Sequence, residues 1–279
     1  MKKVFSHSVL LFVLLLLSLS VFAQEMTERR IELKNGTILT GIVVLQSDGS
    51  YLVELKSGDV IFFQATEVSR IVDDARPSTS LVPDRIDNPP VLVDLGLSVK
   101  WADKNVGALY PSNYGGYYAW GESSTKTNYR WASYKYCEGG STKLNKYNSS
   151  NRKGEVDNKY RLDLEDDVAN LLLGDGWRIP THEEWEELID YCVWKWEVSD
   201  GIKGYKVTSP RNGNSIFLPA GGYWNGASIS HKGQFGRYWS SSLSIGNPDE
   251  ALRFYFASKS YYIGSAERYY GYSIRAVKE

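Results

Sequence analysis

Residues 213–223 have the sequence GNSIFLPAGGY, which places one short apolar run between two glycine-containing turns. Residues 216–220 have the length and the boundaries of a strand, because glycine and asparagine favour turns on both sides. Further short strands are predicted at residues 203–208 and in the alternating apolar run at 252–256. Alternation puts every second side chain on the same face of a sheet. The region therefore predicts a domain built mostly of short strands and loops.

Two helices are predicted outside these strands. The first covers residues 163–173, where acidic residues stand at the start and Gly174 follows the end. The second begins at Thr181, which forms a capping box with Glu184. The apolar residues that follow recur at helical spacing and give one buried face: Trp185, Leu188, Ile189 and Cys192. Two helices among many short strands predict the α+β class.

Seven motifs in residues 91–279 carry a family resemblance. In chain order they are VDLGLSVKWA (93–102), NVGA (105–108), YYAWGE (117–122), GWRIPT (176–181), GNSIFLPAGGY (213–223), YWSSS (238–242) and GYSIRAV (271–277). Together they resemble the Fibrobacter succinogenes major paralogous domain, which has the fold of C-type lectins and formylglycine-generating enzymes. The resemblance implies a C-type-lectin-like domain with two helices and many short strands, and it implies no particular ligand. Large aromatic side chains fill the core of such a loop-rich domain, and we expect four here: Trp101, Trp120, Trp177 and Trp185.

A separate, small all-β module is predicted over residues 25–73. Its short alternating runs are divided by the turn sequences NG (35–36), DG (48–49) and SG (57–58), which indicate about five strands in a barrel-like arrangement. The segments IELKNG (31–36) and EVSRI (67–71) resemble a small N-terminal module of exported proteins of Bacteroidota type, which implies a spacer or docking role. Four prolines mark residues 74–90 as a linker, so the large domain is predicted at 91–279.

Residues 1–23 have the features of a signal peptide. Lys2 and Lys3 precede the apolar run at 9–17, and Ala23 provides a small residue for cleavage. We therefore expect an exported protein of the periplasm, the outer surface or the extracellular space, with no transmembrane segment after signal cleavage. The chain has two cysteines, and an oxidising compartment predicts a disulfide between Cys137 and Cys192. The alternative is that both are separately buried thiols.

Composition excludes several functions. The 32 Lys and Arg residues balance the 33 Asp and Glu residues, so no nucleic-acid partner is expected. Two Cys and three His cannot build zinc fingers, iron–sulfur clusters or multi-histidine metal sites. The acidic run Asp163, Glu165, Asp166 and Asp167 could suggest calcium, but it stands at a helix start, where the helix dipole favours acids. No metal and no cofactor are predicted.

The chain is also predicted not to be an enzyme. Formylglycine-generating enzymes, which share the resembled fold, use reactive cysteines late in the domain, and no Cys follows Cys192. Iron-dependent relatives need several histidines, and only His182 and His231 follow the predicted signal. A hydrolase with two carboxylates is not excluded by composition, so activity on this fold stays open as the lesser alternative.

The last strands have the composition of a binding surface. Six of the 20 tyrosines fall within residues 251–272, among serines and glycines, and this mixture is typical of paratopes. We expect an exported, non-catalytic recognition module that binds a glycan or protein partner at the cell surface. The predicted contacts form one exposed face: Arg253, Tyr255, Ser258, Ser260, Tyr261, Tyr262, Arg268, Tyr269 and Tyr270. The alternative is ordinary aromatic packing in a structural component of the envelope or matrix.

Overall fold

The computed structural model describes residues 28–34, 36–45, 50–55, 60–73, 89–174 and 176–279. The chain divides into two compact units, Met1–Leu81 and Val82–Glu279. The predicted signal peptide at 1–23 and residues 74–88 of the predicted linker lie outside the described residues. Within the part that is described, no helix has the length and apolar character needed to cross a membrane.

The N-terminal unit contains one antiparallel sheet. Its strands are β1 (Glu28–Leu33), β2 (Ile38–Leu45), β3 (Tyr51–Leu55), β4 (Val60–Phe63) and β5 (Val68–Asp73). They lie in the order β4-β3-β2-β1-β5, so the last strand returns to pair with the first. Alternating side chains converge on a small core centred on Ile31, Val53 and Phe63.

The large unit is mostly β-sheet with two helices, which is consistent with the predicted α+β class. Its strands are β6 (Leu92–Val93), β7 (Lys100–Asn105), β8 (Val193–Ser199), β9 (Ile202–Thr208), β10 (Ser215–Pro219), β11 (Tyr223–Asn225), β12 (Ser228–Ser230), β13 (Phe235–Leu243), β14 (Glu250–Ala257), β15 (Ser260–Glu267) and β16 (Arg275–Lys278). They form four small sheets with the orders β16-β7-β6, β10-β9-β8, β11-β12 and β13-β14-β15. The GNSIFLPAGGY segment supplies β10 and the start of β11.

The two helices are α1 (Val168–Leu173) and α2 (His182–Tyr191). The capping box predicted for α2 is confirmed: Thr181 accepts a hydrogen bond from the backbone N–H of Glu184, and the Glu184 side chain accepts one from the backbone N–H of Thr181. The first helix begins five residues later than the acidic run suggested. Asp167 is the reason, because its carboxylate caps the N–H groups of Ala169 and Asn170.

Two aromatic clusters form the core of the large unit. The first surrounds Trp120, Trp239 and Tyr272. The second contains Trp101, Trp185 and Phe254, and in it Trp185 stacks on Phe254 with ring centres 4.8 Å apart. The four tryptophans predicted for the core are confirmed as buried: Trp101, Trp120, Trp177 and Trp185. Large rings with hydrogen-bonding edges thus fill a domain that has little regular structure.

The predicted disulfide is not present, and this prediction is corrected. Cys137 and Cys192 are separate thiols, which was the alternative reading. Cys137 packs against the first cluster and donates towards the carbonyl oxygen of Trp131 at 3.1 Å. Cys192 follows α2 and packs against the second cluster, where burial raises the pKa of its thiol to about 11. The two thiols therefore pack against different aromatic clusters of the core.

Candidate functional site

The C-terminal sheet β13-β14-β15 has two faces with different roles. On one face Phe254 pairs with Ile263, Phe256 pairs with Tyr261, and both phenylalanines are buried in the second core cluster. On the other face Tyr255 pairs with both Arg237 and Tyr262. The inward orientation predicted for Phe254 and Phe256 is therefore confirmed. The residues between them point to the second face, as alternation requires.

The single binding face predicted from sequence is divided by this pairing. Tyr261 and Tyr262 are consecutive in β15 and so lie on opposite sides of the sheet. Tyr261 is 38% exposed and stacks on Trp194, with ring centres 4.9 Å apart, on the face that covers the second core cluster. Its placement beside Tyr262 on one binding surface was wrong, because adjacent strand residues alternate. Ser258 and Ser260 are exposed at the β14–β15 hairpin.

Arg268 is a second correction to the predicted face. Its side chain is fully buried and donates to four oxygens: the Tyr134 hydroxyl and the carbonyls of Lys146, Tyr147 and Pro248. Its guanidinium also lies 5.2 Å from the Trp120 ring centre. Every nitrogen of this guanidinium has a partner inside the domain. Arg268 therefore stabilises the core and has no guanidinium nitrogen left to bind a ligand.

The second face carries a group that we call the arginine–tyrosine cluster: Tyr223, Arg237, Arg253, Tyr255 and Tyr262. The guanidinium carbon of Arg237 lies 3.7 Å from the Tyr223 ring centre and 5.7 Å from that of Tyr255. That of Arg253 lies 5.2 Å from the Tyr255 ring centre and 5.6 Å from that of Tyr262. Tyr262 is 48% exposed, so the cluster reaches the surface at this ring. Two cations thus lie among three tyrosine rings.

Arg253 is the most unusual member of the arginine–tyrosine cluster. The residue is only 9% exposed, and its Nε and Nη1 atoms are enclosed without a hydrogen-bond partner. Its cross-strand neighbour is Gly264, and a Cβ there would lie 3.9 Å from Nη2 and 3.1 Å from the Tyr262 ring. The missing side chain at Gly264 therefore provides the space in which the guanidinium and the Tyr262 ring meet.

Arg237 is better satisfied than Arg253 but also carries an unpaired donor. Its Nη1 donates to the Tyr272 hydroxyl at 3.1 Å, whereas its enclosed Nε has no partner. Among the described residues, neither arginine forms an ion pair with a carboxylate. Burial raises the pKa of Tyr272 to about 12 and also raises that of Tyr255, although both arginines oppose this. These tyrosines stay neutral at physiological pH, so the two positive charges are not compensated.

An aromatic row extends the surface away from this cluster. Tyr223 lies 5.6 Å from Tyr270, which lies 4.5 Å from Tyr269, as measured between ring centres. Tyr269 in turn meets Trp131 at 5.3 Å. Tyr255, Tyr269 and Tyr270 are each partly exposed, so these three predicted residues lie along this face.

Sequence reasoning missed Tyr223 and Arg237. They come from β11 and β13, well before the tyrosine-rich segment, and only tertiary pairing brings them to it. One signal was available: Tyr238 and Arg237 are neighbours in a strand, so an inward tyrosine implies an outward arginine. The pairing of β13 with β14 could not be deduced in the same way.

The acidic group at residues 163–166 has a cationic partner of its own. Asp163, Glu165 and Asp166 all form ion pairs with Lys146, at 2.9, 2.8 and 2.6 Å. Burial opposes ionisation of Asp166, but hydrogen bonds from Lys146, Tyr136 and Tyr147 outweigh it and lower the pKa of Asp166 to about 2. The Lys146 ammonium thus lies among the acidic residues that, in the sequence, could suggest a calcium site.

One arrangement of catalytic residue types occurs at the start of α2. His182 Nδ1 lies 3.1 Å from Ser242 Oγ and 3.1 Å from a carboxylate oxygen of Glu183. A catalytic triad uses one ring nitrogen for the nucleophile and the other for the carboxylate. Here the same nitrogen meets both groups, so this geometry does not form a relay.

Comparison of the chain with models of known families, with curated proteins and with solved structures finds no match in any of the three. The function is therefore inferred from the geometry and chemistry of the site. The features that bear on it are the exposed Tyr262 ring, the two arginines without an ion-pair partner and the three-stranded sheet that carries them.

Proposed function

We propose that the chain is an exported, non-catalytic recognition module that binds a glycan or protein partner at the cell surface through the arginine–tyrosine cluster. The observation that carries the proposal is a half-exposed tyrosine ring, Tyr262, beside the guanidinium of Arg253 on a regular strand. The domain is a C-type-lectin-like member of the Fibrobacter succinogenes major paralogous family, on the strength of its seven motifs. The N-terminal β unit serves as a spacer or docking element.

The chemistry of the surface supports recognition. Tyrosine offers a large contact area with few rotatable bonds, and neighbouring small residues leave room for a partner to approach. Gly264, Ser258 and Ser260 provide such small residues on β15 and the adjoining hairpin. A flat ring can stack on the C–H face of a sugar, and its hydroxyl can bind sugar or peptide oxygens.

The division of aromatic residues between core and surface supports the same reading. Tyr129, Tyr147, Tyr238 and Tyr272 are fully buried and stabilise the domain. Tyr262 is not part of that buried set, because the residue is 48% exposed. A scaffold that binds nothing has no need of an exposed tyrosine ring beside the unpaired donors of Arg253.

A pair of adjacent substitutions tests the proposal. A glycan array and a pull-down from surface extracts are performed with the wild type, with Tyr262→Ala and with Tyr261→Ala. We expect Tyr262→Ala to weaken binding at least about fivefold, since one stacked aromatic group contributes about 1–3 kcal/mol. Tyr261→Ala is the matched control on the opposite face, and its affinity should stay within about twofold of wild type.

Two results would contradict the proposal. If Tyr262→Ala binds as well as the wild type, the partner contacts another surface. If the wild type retains neither a glycan nor a protein, the alternative of a structural envelope component is favoured.

A further inference from the structure

The arginine–tyrosine cluster contains hydrogen-bond donors that the fold does not use. Nε and Nη1 of Arg253 and Nε of Arg237 are enclosed and have no acceptor in the part of the chain that the structure describes. An aromatic ring stabilises the face of a guanidinium, but it does not replace the oxygen atoms that its in-plane N–H groups require. Buried donors in native proteins are nearly always paired, so three unpaired nitrogens in one cluster need an explanation.

The same domain shows that it can satisfy a buried arginine completely. Nε, Nη1 and Nη2 of Arg275 each donate to an oxygen, those of Asn105, Ala102 and Phe217 respectively, at 2.7–2.9 Å. The Arg268 guanidinium donates to four oxygens. Arg253 differs from both, because its Nε and Nη1 have no acceptor among the described residues.

Resting on the recognition function proposed above, we infer that Arg253 and Arg237 bind the carboxylate of an acidic sugar while the Tyr262 ring stacks on the pyranose. A carboxylate matches the planar fork of a guanidinium and can accept two parallel hydrogen bonds from it. Both guanidinium groups lie against the ring of Tyr255, so they border the same part of the surface, and one carboxylate bound there offsets one of the two positive charges. Tyr262 is half exposed and its ring centre lies 5.6 Å from the guanidinium carbon of Arg253, so the inferred binding requires this ring to change rotamer, which exposed side chains do within nanoseconds.

A sugar fits this surface better than an acidic peptide does. In a uronic acid the carboxylate is attached directly to the ring, so one residue presents an apolar C–H face and an anion side by side. The protein presents the complementary pair, a tyrosine ring centre 5.6 Å from a guanidinium carbon. An aspartate or glutamate side chain supplies the anion without the ring face, and it leaves the exposed Tyr262 unused.

The test measures binding of the purified chain to three polymers by calorimetry. These are polygalacturonate, its fully methyl-esterified form, which keeps the sugar and loses the charge, and poly-L-glutamate, which keeps the charge and loses the sugar. Arg253→Met removes the guanidinium, and Arg253→Lys keeps a charge without the planar fork. Lys259→Gln is the matched control, because Lys259 is an exposed cation on the same β14–β15 hairpin.

We expect polygalacturonate to bind at least tenfold more tightly than either other polymer. Arg253→Met should weaken that binding at least tenfold, Arg253→Lys should weaken it to a smaller degree, and Lys259→Gln should leave it within twofold. If Arg253→Met does not fold, unchanged affinity in Arg253→Lys overturns the inference.

Three further results overturn it: equal binding of the methyl ester, equal binding of poly-L-glutamate, or no binding of polygalacturonate. In each case the recognition function still stands if the wild type binds another partner and Tyr262→Ala loses that binding. If the wild type binds neither polygalacturonate nor any other partner, the recognition function is contradicted as well.

Discussion

Three arginines near the C-terminus lie in different surroundings. They differ in how many of their guanidinium nitrogens have a hydrogen-bond partner. Arg268 and Arg275 are fully buried, and carbonyl, amide or hydroxyl oxygens surround their guanidinium groups. Arg253 is almost as buried but has two unpaired nitrogens. Burying an unpaired donor costs about 1–3 kcal/mol, whereas a fully paired one is stabilising. The first two hold the fold together, whereas two donors of the third stay without an acceptor among the described residues.

This contrast predicts opposite stability changes for two equivalent substitutions. Arg275→Met leaves three oxygens without a donor and should lower the free energy of unfolding by at least about 3 kcal/mol. Arg253→Met removes an unsatisfied cation and keeps most of the apolar stem, so it should raise that free energy by about 1 kcal/mol. Urea denaturation of both variants measures the difference. Equal destabilisation of the two would show that Arg253 is structural.

Asp166 gives a second prediction at the residue scale, concerning acid stability. Its pKa is about 2 in the folded protein, below the ordinary value of 3.8, so its contribution is complete above about pH 4 and is lost as the pH falls towards 2. This difference in pKa between the unfolded and the folded state corresponds to about 2 kcal/mol. Asp166→Asn should therefore lower the free energy of unfolding by about 2 kcal/mol at pH 7 and by less than about 0.5 kcal/mol at pH 2, where half of the folded molecules already carry a protonated Asp166. Urea titrations at both pH values would measure this difference.

The neighbouring Glu165 provides the control for this experiment. It pairs with the same lysine, but its side chain is 74% exposed, so Glu165→Gln should change stability by less than about 0.5 kcal/mol. If the two variants lower the free energy of unfolding equally at pH 7, the burial of Asp166 does not explain how much its ion pair contributes to stability.

At the scale of elements, local signals were predictable and pairings were not. The α2 capping box was correct because Thr181 and Glu184 act within one turn of helix. The start of α1 was misplaced because several acids preceded it, and only the structure shows that Asp167 is the cap. Alternation correctly placed Phe254 and Phe256 inward. Applied strictly, the same rule would have separated Tyr261 from Tyr262.

The part of the candidate site that escaped prediction depends on contacts distant in sequence. Arg237 joins Tyr255 through strand pairing, and Tyr223 reaches Arg237 from a different two-stranded sheet. Arg268 lies in a segment whose composition suggested a surface, yet it turns inward to carbonyls more than a hundred residues earlier in the chain. Composition predicts which residue types a surface uses, and it does not predict which individual side chains reach that surface.

At the scale of the whole molecule, the two units have cores of very different size. The N-terminal core is centred on five buried side chains drawn from residues 31–63, whereas the large unit has two aromatic clusters. Small domains bury a smaller fraction of their surface and are less stable for that reason. The thiols of the large unit are separate, so packing and hydrogen bonds hold its two clusters together without a disulfide.

We therefore predict that residues 91–279 expressed alone unfold cooperatively, at the same temperature as the larger transition of the full chain. Both clusters are built from residues 93–277, so removal of residues 1–90 deletes none of their members. Because Cys137 and Cys192 are separate thiols, a reductant should leave this transition unchanged. Calorimetry of both proteins with and without dithiothreitol provides the measurement, and alkylation of the folded protein without reductant counts the thiols. A molten or insoluble fragment would show that the large unit needs the first 90 residues. A transition temperature lowered by dithiothreitol would show that Cys137 and Cys192 do form a disulfide.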